Sequence, residues 1–435
     1  MGGISMLDFK HITEALLLYT SVVDDPIVVM ARRMAELLAP ENLDAGQTDE
    51  RWKLARQIYY KYAAALVWQA EKYGYKGNLF RRHLQRLFLA DENPFTLACE
   101  RDVMDEKSTL YALALHDVRA FRDMCAFDIG IFSRHVGQNE NLTDYLPNCA
   151  AENPYIAEMD AADGIDEWLN AMRLYYRMLG CGTLAEHGML VAEDGGLVGV
   201  PNADPSRFED IIGYKEQKAL LRDNTEAFIK GFPANNMLLI GARGTGKSTC
   251  VKALANEYFN EGLRVVELSK DKLHDLPAVL SMLSERGKSF IVYIDDLSFD
   301  DSESRYKHLK SILEGGVVRR PKNVLFCATS NRRHIVQEKW SDTNAGYEDE
   351  EMHGTDTRNE KMSLSDRFGL TITFQKPSPA EYFEIVAALA QKENLGVSED
   401  FLREQAAAWE LNQKGLSGRT ARQFLDHMIC EINKG

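Results

Sequence analysis

Long apolar runs are absent from this chain of 435 residues. No stretch approaches the roughly 18 apolar residues that a membrane-spanning helix needs. The sequence also opens without the basic and apolar regions of a secretory signal peptide. We therefore expect a cytoplasmic protein that does not enter a membrane.

Cysteine is scarce, and its spacing argues against two kinds of small scaffold. No two cysteines form a C-x-x-C pair, so a disulfide framework and a zinc ribbon are both disfavoured. We expect free thiols that are buried in a reducing compartment. The seven cysteines are Cys99, Cys125, Cys149, Cys181, Cys250, Cys327 and Cys430.

An excess of positive charge is also missing, because the formal net charge is −15. Residues 1–205 hold 19 Lys and Arg against 31 Asp and Glu, a net of −12, which leaves −3 for the rest. An acidic first half argues against general binding of nucleic-acid phosphates there. The local cluster Lys76, Arg81, Arg82 and Arg86 is more typical of a solvated helix face than of a nucleic-acid site.

The first 188 residues have the spacing of helices and offer little chemistry. Apolar residues recur at intervals of three and four, with breaks at segments that contain glycine or proline. The histidines of this part show no metal-ligand spacing, and we expect its aromatic side chains in the core. The predicted helices cover 12–38 with an interruption near Pro26, 49–73, 80–89, 108–132 and 165–179.

The pattern changes near residue 189, and this divides the chain into four parts. We predict an all-helical domain over 1–188 and a β-hairpin with a linker over 189–206. Strands then alternate with helices over 207–376, which predicts a parallel sheet with helices on both faces. After Pro377 the chain is helical again, and we expect a small helical lid over 377–435.

The most specific motif follows a short apolar run in the α/β part. Its glycines would let backbone N–H groups surround a triphosphate, and the helix that follows adds its positive dipole. Lys247 would reach the β- and γ-phosphates, and the Ser248 hydroxyl would ligate Mg²⁺. The motif matches G-x-x-x-x-G-K-[ST], and its residues are Gly241, Ala242, Arg243, Gly244, Thr245, Gly246, Lys247, Ser248 and Thr249.

A second strand, 290–294, ends in two acids about fifty residues later. This is a Walker B pattern. We expect Asp295 to hold the Mg²⁺ shell through water and Asp296 to orient and polarise the attacking water. The usual residue at the second position is Glu, which is one methylene longer.

Polar and basic residues follow in an order that makes them candidates for the same site. Asn331 comes at the end of the next strand, where it would face the γ-phosphate and the water. Arg332 and Arg333 follow it directly. Arg367 precedes the last strand, and Arg419 opens the last helix. Each arginine alone would be interpreted as a surface residue, and only their order after a P-loop and a Walker B strand points to a site.

From about Phe208 onward the chain resembles an AAA+ ATPase. The resemblance implies that residues 241–248 are Walker A, Asp295 and Asp296 Walker B, and Asn331 sensor 1. It likewise implies that Arg367 is the arginine finger and Arg419 sensor 2, with Arg332 and Arg333 as rival fingers. The adenine-side segment of the family matches Ile211, Ile212 and Gly213.

Four segments resemble one narrower group, a bacterial family of AAA+ ATP-binding proteins defined as a domain of unknown function. The segments cover 295–299, 329–334, 364–370 and 417–424. The second Asp of the Walker B motif is also similar to that of replication initiators and helicase loaders. Residues 1–187 carry no independent signature of any family.

The segment 338–361 lacks apolar periodicity and contains Glu348, Asp349, Glu350 and Glu351. Such a composition is typical of a disordered acidic loop. The alternative is an element that engages a substrate, because the segment lies between the sensor 1 and finger positions.

We therefore expect an AAA+ ATPase that binds MgATP and hydrolyses it at a subunit interface, with Arg367 acting in trans. The resemblance implies a homo-oligomer, either a ring or a helical assembly. We also expect an unknown protein partner at the N-terminal domain and no membrane. Hydrolysis would remodel or load that partner.

Other functions are compatible with the same motifs. Asp296 in place of Glu motivates an ATP-binding switch with little hydrolysis. The initiator-like Walker B motif motivates a DNA-associated loader or transposition helper, which the acidic first half disfavours. A small-molecule kinase is a weaker alternative, because such kinases do not need sensor and finger positions after the Walker B strand.

Overall fold

A computed structural model of the chain describes residues 5–39, 48–136, 142–151, 153–193, 196–297, 309, 313, 320–331, 367–411 and 415–432. It divides into two compact units, Met1–Glu186 and His187–Gly435.

The first unit is helical, as predicted. Its core is rich in stacked aromatic rings: those of Phe88 and Phe121 lie 3.8 Å apart, and those of Phe9 and Phe127 lie 4.4 Å apart. The helices described are α1 (Met6–Glu14), α2 (Thr20–Val23), α3 (Pro26–Leu38), α4 (Thr48–Tyr73), α5 (Leu79–Ala90), α6 (Pro94–Glu100), α7 (Thr109–Ala126), α8 (Gly130–Val136), α9 (Pro154–Ala161), α10 (Ile165–Leu179) and α11 (Thr183–Glu186).

Local chemistry sets two of these boundaries. Asp25 accepts hydrogen bonds from the backbone N–H groups of Ile27 and Val28 and so caps α3, with Pro26 at its first position. The prediction of one helix over 108–132 was wrong in its length, because α7 ends at Ala126 and a separate helix, α8, begins at Gly130. Phe127 adopts extended backbone angles (φ −63°, ψ 128°) and packs its ring on Phe9.

The second unit contains a seven-stranded sheet in the order β2-β1-β4-β5-β6-β3-β7. All neighbouring strands are parallel except β1 and β2, which form an antiparallel hairpin at one end of the sheet. The strands are β1 (Met189–Glu193), β2 (Gly196–Gly199), β3 (Met237–Gly241), β4 (Leu263–Glu267), β5 (Ser289–Ile294), β6 (Val324–Ser330) and β7 (Leu370–Phe374).

Among the described residues, three helices flank this sheet: α12 (Lys215–Ile229), α13 (Lys247–Glu257) and α14 (Leu276–Ser284). Alternate strand residues such as Met237 and Leu239 form one core cluster with α12 and α13. This alternation is what the period of two in a strand predicts. The predicted alternation would put a further helix between β5 and β6, and of residues 298–319 only Leu309 and Leu313 lie within the described residues.

A helical lid follows β7 and consists of α15 (Pro379–Lys392), α16 (Glu399–Leu411) and α17 (Gly418–Ile432). It has its own core, in which Tyr382, Leu402 and Phe424 are almost fully buried. The parallel sheet, its helices, the lid and the helical first unit confirm the predicted fold class.

Strand order decides where a site can form. The carboxyl ends of β3, β5 and β6 lie side by side at one edge of the sheet. In open parallel sheets, ligands bind outside this edge, at the point where the strand order reverses. Here β3 lies between β6 and β7, so the loop after β3 starts at that point.

Candidate nucleotide-binding site

The P-loop connects β3 to α13 and depends on two glycines that have positive φ. Gly246 (φ 86°) is the N-cap of α13, and Gly244 (φ 77°) lies at the top of the loop. A Cβ atom on Gly244 would come within 2.9 Å of the Ser417 hydroxyl and 3.2 Å of the Arg419 Cβ. Only glycine therefore lets the loop turn this way beneath the first residues of α17.

Lys247 begins α13 and points back into the loop. Its Nζ atom donates to the carbonyl oxygens of Gly241 and Ala242, each at 2.8 Å, and to Asn331 Oδ1 at 3.0 Å. The residue is 6% exposed. Burial lowers the pKa of Lys247, although the charges of Asp295 and Asp296 act in the opposite direction.

Asp295 follows β5 and receives three hydroxyl groups on one oxygen. Ser248 Oγ donates to Asp295 Oδ1 at 2.9 Å, Tyr293 OH at 2.6 Å and Thr329 Oγ1 at 2.5 Å. Burial alone would raise the pKa of Asp295. The hydrogen bonds outweigh this effect, with Thr329 and Tyr293 the largest contributors, so the pKa is lowered and the carboxylate stays ionised.

Asp296 is held by two neighbours on β6 and just after it. Its backbone N–H donates to Thr329 Oγ1 at 2.9 Å, and the Asn331 side-chain amide donates to Asp296 Oδ1 at 2.6 Å. Asp296 has φ 48°, a left-handed conformation that non-glycine residues seldom adopt. Such backbone strain is frequent at functional sites. Asn331 thus connects Lys247 to Asp296.

A cavity of about 880 Å³ lies above these residues and suits a molecule the size of a nucleotide. One end contains Lys247, Ser248, Asp295 and Asp296. The apolar lining, called the apolar end below, comes from Ile211, Ile212 and Tyr214 of the α/β part and from Ile385 and Leu389 of α15. Charged residues of the lid, among them Lys392, Glu393 and Arg422, line the cavity as well. The cavity therefore offers a phosphate-binding end and an apolar end that could hold a base.

Tyr214 shapes the apolar end. It adopts a left-handed conformation (φ 53°) directly after Gly213 (φ 79°). This conformation costs a tyrosine about 1–3 kcal/mol. Two contacts offset that cost: the Tyr214 hydroxyl donates to the Gln375 carbonyl at 2.8 Å, and its ring lies 5.2 Å from that of Phe374. Lys218 fixes the same segment by donating to the Ile211 carbonyl at 2.8 Å.

Basic side chains surround the cavity. Arg243 and Arg419 line it and are exposed to solvent. Arg419 lies in the first turn of α17, which Ser417 caps by accepting from the Thr420 N–H at 3.1 Å. Lys392 on α15 pairs with Asp210, and this ion pair joins the lid to the segment before the apolar end.

The structure brings most of the predicted residues together. Residues 243–249, Asp295, Asp296, Asn331, Arg419, Ile211 and Ile212 all line the cavity. Gly241 and Ala242 contribute through the carbonyls that Lys247 contacts, and Gly213 through its positive φ. Their roles remain predictions.

Arg367 lies elsewhere. It comes three residues before β7, whose first residue Leu370 pairs with Met237 at the start of β3. It is therefore at the amino edge of the sheet, roughly 13 Å or more along the strands from the P-loop. Arg332, Arg333 and the acidic segment 338–361 lie outside the described residues.

Several residues of the site were missed from the sequence. Tyr293 shares a strand face with Asp295 two residues later, and this spacing was a usable signal. Thr329 is two residues before Asn331 and could have been found in the same way. Ile385, Leu389 and Lys392 carried no signal, because they approach the cavity only through the packing of the lid.

The residues present fit Mg²⁺. The Ser248 hydroxyl and the Asp295 carboxylate lie next to each other beside the start of α13. Magnesium is usually bound in this way, by one or two protein oxygens together with substrate phosphates, rather than by a closed protein cage. Among the residues described, no group of three His, Cys, Asp or Glu that could hold a metal occurs.

Within the described segments, no helix is both long and apolar enough to cross a bilayer.

Strand order and site together define a class of protein. Strand β6, which ends next to Asn331, is inserted between the P-loop strand β3 and the acidic strand β5. This insertion, with a small helical lid after the last strand, is the arrangement of the AAA+ class of P-loop ATPases, so the chain has the AAA+ fold. Within that class it belongs to the family described as "Protein of unknown function (DUF815)", whose model matches residues 186–432. The predicted membership of an AAA+ family of unknown function is thus confirmed.

Structures of RuvB from Thermotoga maritima are similar to part of the chain. One variant is 18% identical over 53% of this chain and 68% of that chain, with a TM-score of 0.38. A second variant is 16% identical over 51% and 72%, with a TM-score of 0.34. A third structure, described as a Holliday junction branch migration motor, is 15% identical over 51% and 72%, with a TM-score of 0.33. No curated protein matches the chain. The function is therefore inferred from the chain's own residues.

Proposed function

We propose that this protein binds MgATP in the cavity and hydrolyses its β–γ phosphoanhydride bond. The observation that carries the proposal is the connected set Lys247, Asn331 and Asp296, joined by hydrogen bonds of 3.0 and 2.6 Å at the phosphate-binding end. Asn331 contacts both Lys247, the proposed cation for the phosphates, and Asp296, the proposed acid for the water.

Each residue has a definite task in this reaction. The α13 N-terminus and Lys247 bind the phosphate oxygens. Asp296 accepts a hydrogen bond from the attacking water, and Asn331 fixes the Asp296 carboxylate. The water oxygen forms a bond to the γ-phosphorus while the bond from that phosphorus to the bridging oxygen breaks. The products are ADP, phosphate and a proton. Ser248 and the Asp295 carboxylate would hold Mg²⁺, which would supply positive charge against the phosphates.

The finger is proposed to come from a second copy of the chain. Arg367 is at the opposite edge of the sheet from its own cavity, and a residue so placed can complete a neighbour's site in a closed assembly. An arginine finger contributes about 10³–10⁵ in rate. Isolated protomers should therefore hydrolyse ATP very slowly, and we expect a homo-oligomer, ring-shaped or helical, to be the active form.

The test is the ATP hydrolysis rate as a function of protein concentration, for the wild type and for Asp296→Asn. A specific rate that climbs with concentration and collapses in the variant supports an ATPase completed between subunits. A rate that stays at background at every concentration, with ATP binding retained, overturns the hydrolytic function. The ATP-binding switch suggested by Asp296 would then remain.

Hydrolysis would act on a macromolecular partner, and we propose that the first unit holds it.

A second candidate function, nucleic-acid binding, is favoured by one feature of the same unit. Trp68 is 73% exposed and Tyr60 is 48% exposed on α4. Glu50 in the first turn of α4 is exposed and acidic, but none of the exposed residues between 51 and 73 is acidic. The exposed residues there are Lys53, Leu54, Arg56, Gln57, Tyr60, Lys61, Ala64, Trp68 and Lys72.

Aromatic and basic side chains on one surface are what single-stranded nucleic acid requires. The acidic composition of residues 1–205 argues against it. Fluorescence anisotropy with a labelled single-stranded oligonucleotide distinguishes a nucleic-acid partner from a protein partner. Binding that weakens steeply between 50 and 200 mM salt and is lost in Trp68→Ala supports the candidate. An absence of binding at the lowest salt removes it and leaves a protein partner.

A further inference from the structure

Tyr293 is a core residue whose hydroxyl reaches the site. Its side chain is 1% exposed and belongs to the cluster beneath α13. Because alternate positions of a strand share a face, the ring lies on the same side of β5 as the carboxylate of Asp295. The hydroxyl donates to Asp295 Oδ1 at 2.6 Å. The sheet core thus fixes the position of a hydrogen-bond donor to the proposed metal carboxylate.

Three donors share this oxygen, although a carboxylate offers about two lone-pair sites on each oxygen. One of them, Ser248, also has the position of a metal ligand in a P-loop. If Ser248 turns to a metal, Tyr293 and Thr329 are left to fill the lone pairs of Oδ1. Thr329 is itself constrained, because it also accepts from the Asp296 N–H at 2.9 Å.

We infer that Tyr293 is a positioning residue for Mg²⁺: its hydroxyl keeps Asp295 Oδ1 engaged by the protein and so leaves Oδ2 for the water shell of the ion. The inference rests on the proposed function, since it requires that the cavity binds a nucleotide with Mg²⁺. It gives a role in metal binding to Tyr293, a residue of β5 that lies two positions before Asp295. Hydrogen-bond partners of metal ligands commonly contribute 10–100-fold to metal affinity.

A purely structural role makes a different prediction. Buried tyrosines need a partner for the hydroxyl, and Asp295 could simply serve as that partner. In that case Tyr293→Phe, which keeps the ring and its packing, would leave the metal dependence unchanged. The two roles are therefore distinguished by the response to Mg²⁺ and not by stability.

The matched control is Tyr258→Phe. Tyr258 is 6% exposed, lies in the same unit, and donates its hydroxyl to Glu226 Oε1 at 3.0 Å. It is also a buried tyrosine bonded to a carboxylate, but neither residue lines the cavity.

The experiment measures the dissociation constant of fluorescent mant-ADP, first in EDTA and then over a series of Mg²⁺ concentrations, for the wild type, Y293F and Y258F. In Y293F we expect the value in EDTA to stay within about twofold of the wild type. The Mg²⁺ concentration that gives half of the metal-dependent tightening should rise about tenfold. Y258F should follow the wild-type curve throughout.

Three results overturn the inference: a wild-type Mg²⁺ curve in Y293F, an equal shift in Y258F, or a parallel loss of mant-ADP binding in EDTA that marks general damage to the site. In each of these the wild type still binds, so the nucleotide binding on which the proposed function depends stands. A wild type that binds no nucleotide under either condition overturns both.

Discussion

The side-chain amide of Asn331 donates a hydrogen bond of 2.6 Å to Asp296 Oδ1. The two residues follow neighbouring strands and are 35 positions apart in the chain. Asp296 is one methylene shorter than the usual Glu, and this hydrogen bond holds its carboxylate in one position close to Lys247. The geometry therefore favours ATP hydrolysis over the ATP-binding switch.

Asn331→Ala should impair hydrolysis while leaving nucleotide binding nearly intact. Removal of one preorganised donor from a reaction centre typically costs about 10²–10³ in kcat. The measurement is steady-state phosphate release at saturating ATP, with mant-ADP affinity measured in parallel. Asn224→Ala is the control, because the Asn224 amide donates to the Asn235 carbonyl at 2.9 Å and neither residue lines the cavity. Equal rates in the two variants would contradict a role for Asn331.

Lys247→Ala should weaken ATP binding itself. The Lys247 ammonium is buried at the phosphate-binding end, and a hydrogen bond to a charged group is worth about 1.5–3 kcal/mol, or roughly 10–100-fold in Kd. Lys252→Ala on the same helix is the control, since Lys252 pairs with Asp204 at 3.4 Å and does not line the cavity. Calorimetric titration with ATP and Mg²⁺ measures both. An unchanged affinity for ATP in Lys247→Ala would show that the nucleotide does not bind in this cavity.

The parts of the site that could be predicted from sequence are those with local spacing. The P-loop, Asp295 with Asp296, and Asn331 each follow an apolar strand, and parallel strands bring their carboxyl ends to one edge. The lid side could not be predicted, because Lys392 and Asp210 are 182 residues apart and no local pattern connects them. The end of α7 was missed for a related reason. Its sequence continues the helical spacing, but Phe127 leaves the helix to stack on Phe9.

Thiol reactivity tests the packing of both units. Cys149 and Cys430 are exposed, and the other five cysteines are buried. Burial raises the pKa of the Cys99 thiol to about 12 and that of Cys250 to about 12. At pH 8 only about 10⁻⁴ of each would be the reactive thiolate. Titration with Ellman's reagent should give two fast thiols in the native protein and seven after denaturation. Fast reaction of a third would show that one of these cores is open.

Mixed oligomers test whether Arg367 acts in trans. A protomer with Arg367→Ala has an intact Asp296 in its own cavity but cannot supply an arginine to a neighbour's cavity. A protomer with Asp296→Asn lacks the acid in its own cavity but can still supply Arg367 to a neighbour. Each variant alone should lose about 10³-fold or more in phosphate release. Mixed in equal amounts, they should recover a measurable fraction of the wild-type rate, because some interfaces then pair an intact cavity with an intact arginine. Arg403→Ala, on α16 beside the Phe383 ring, should keep the full rate. If the mixture stays as inactive as its components while assembling normally, the arginine that completes the site is a different one, and Arg332 and Arg333 become the next to test.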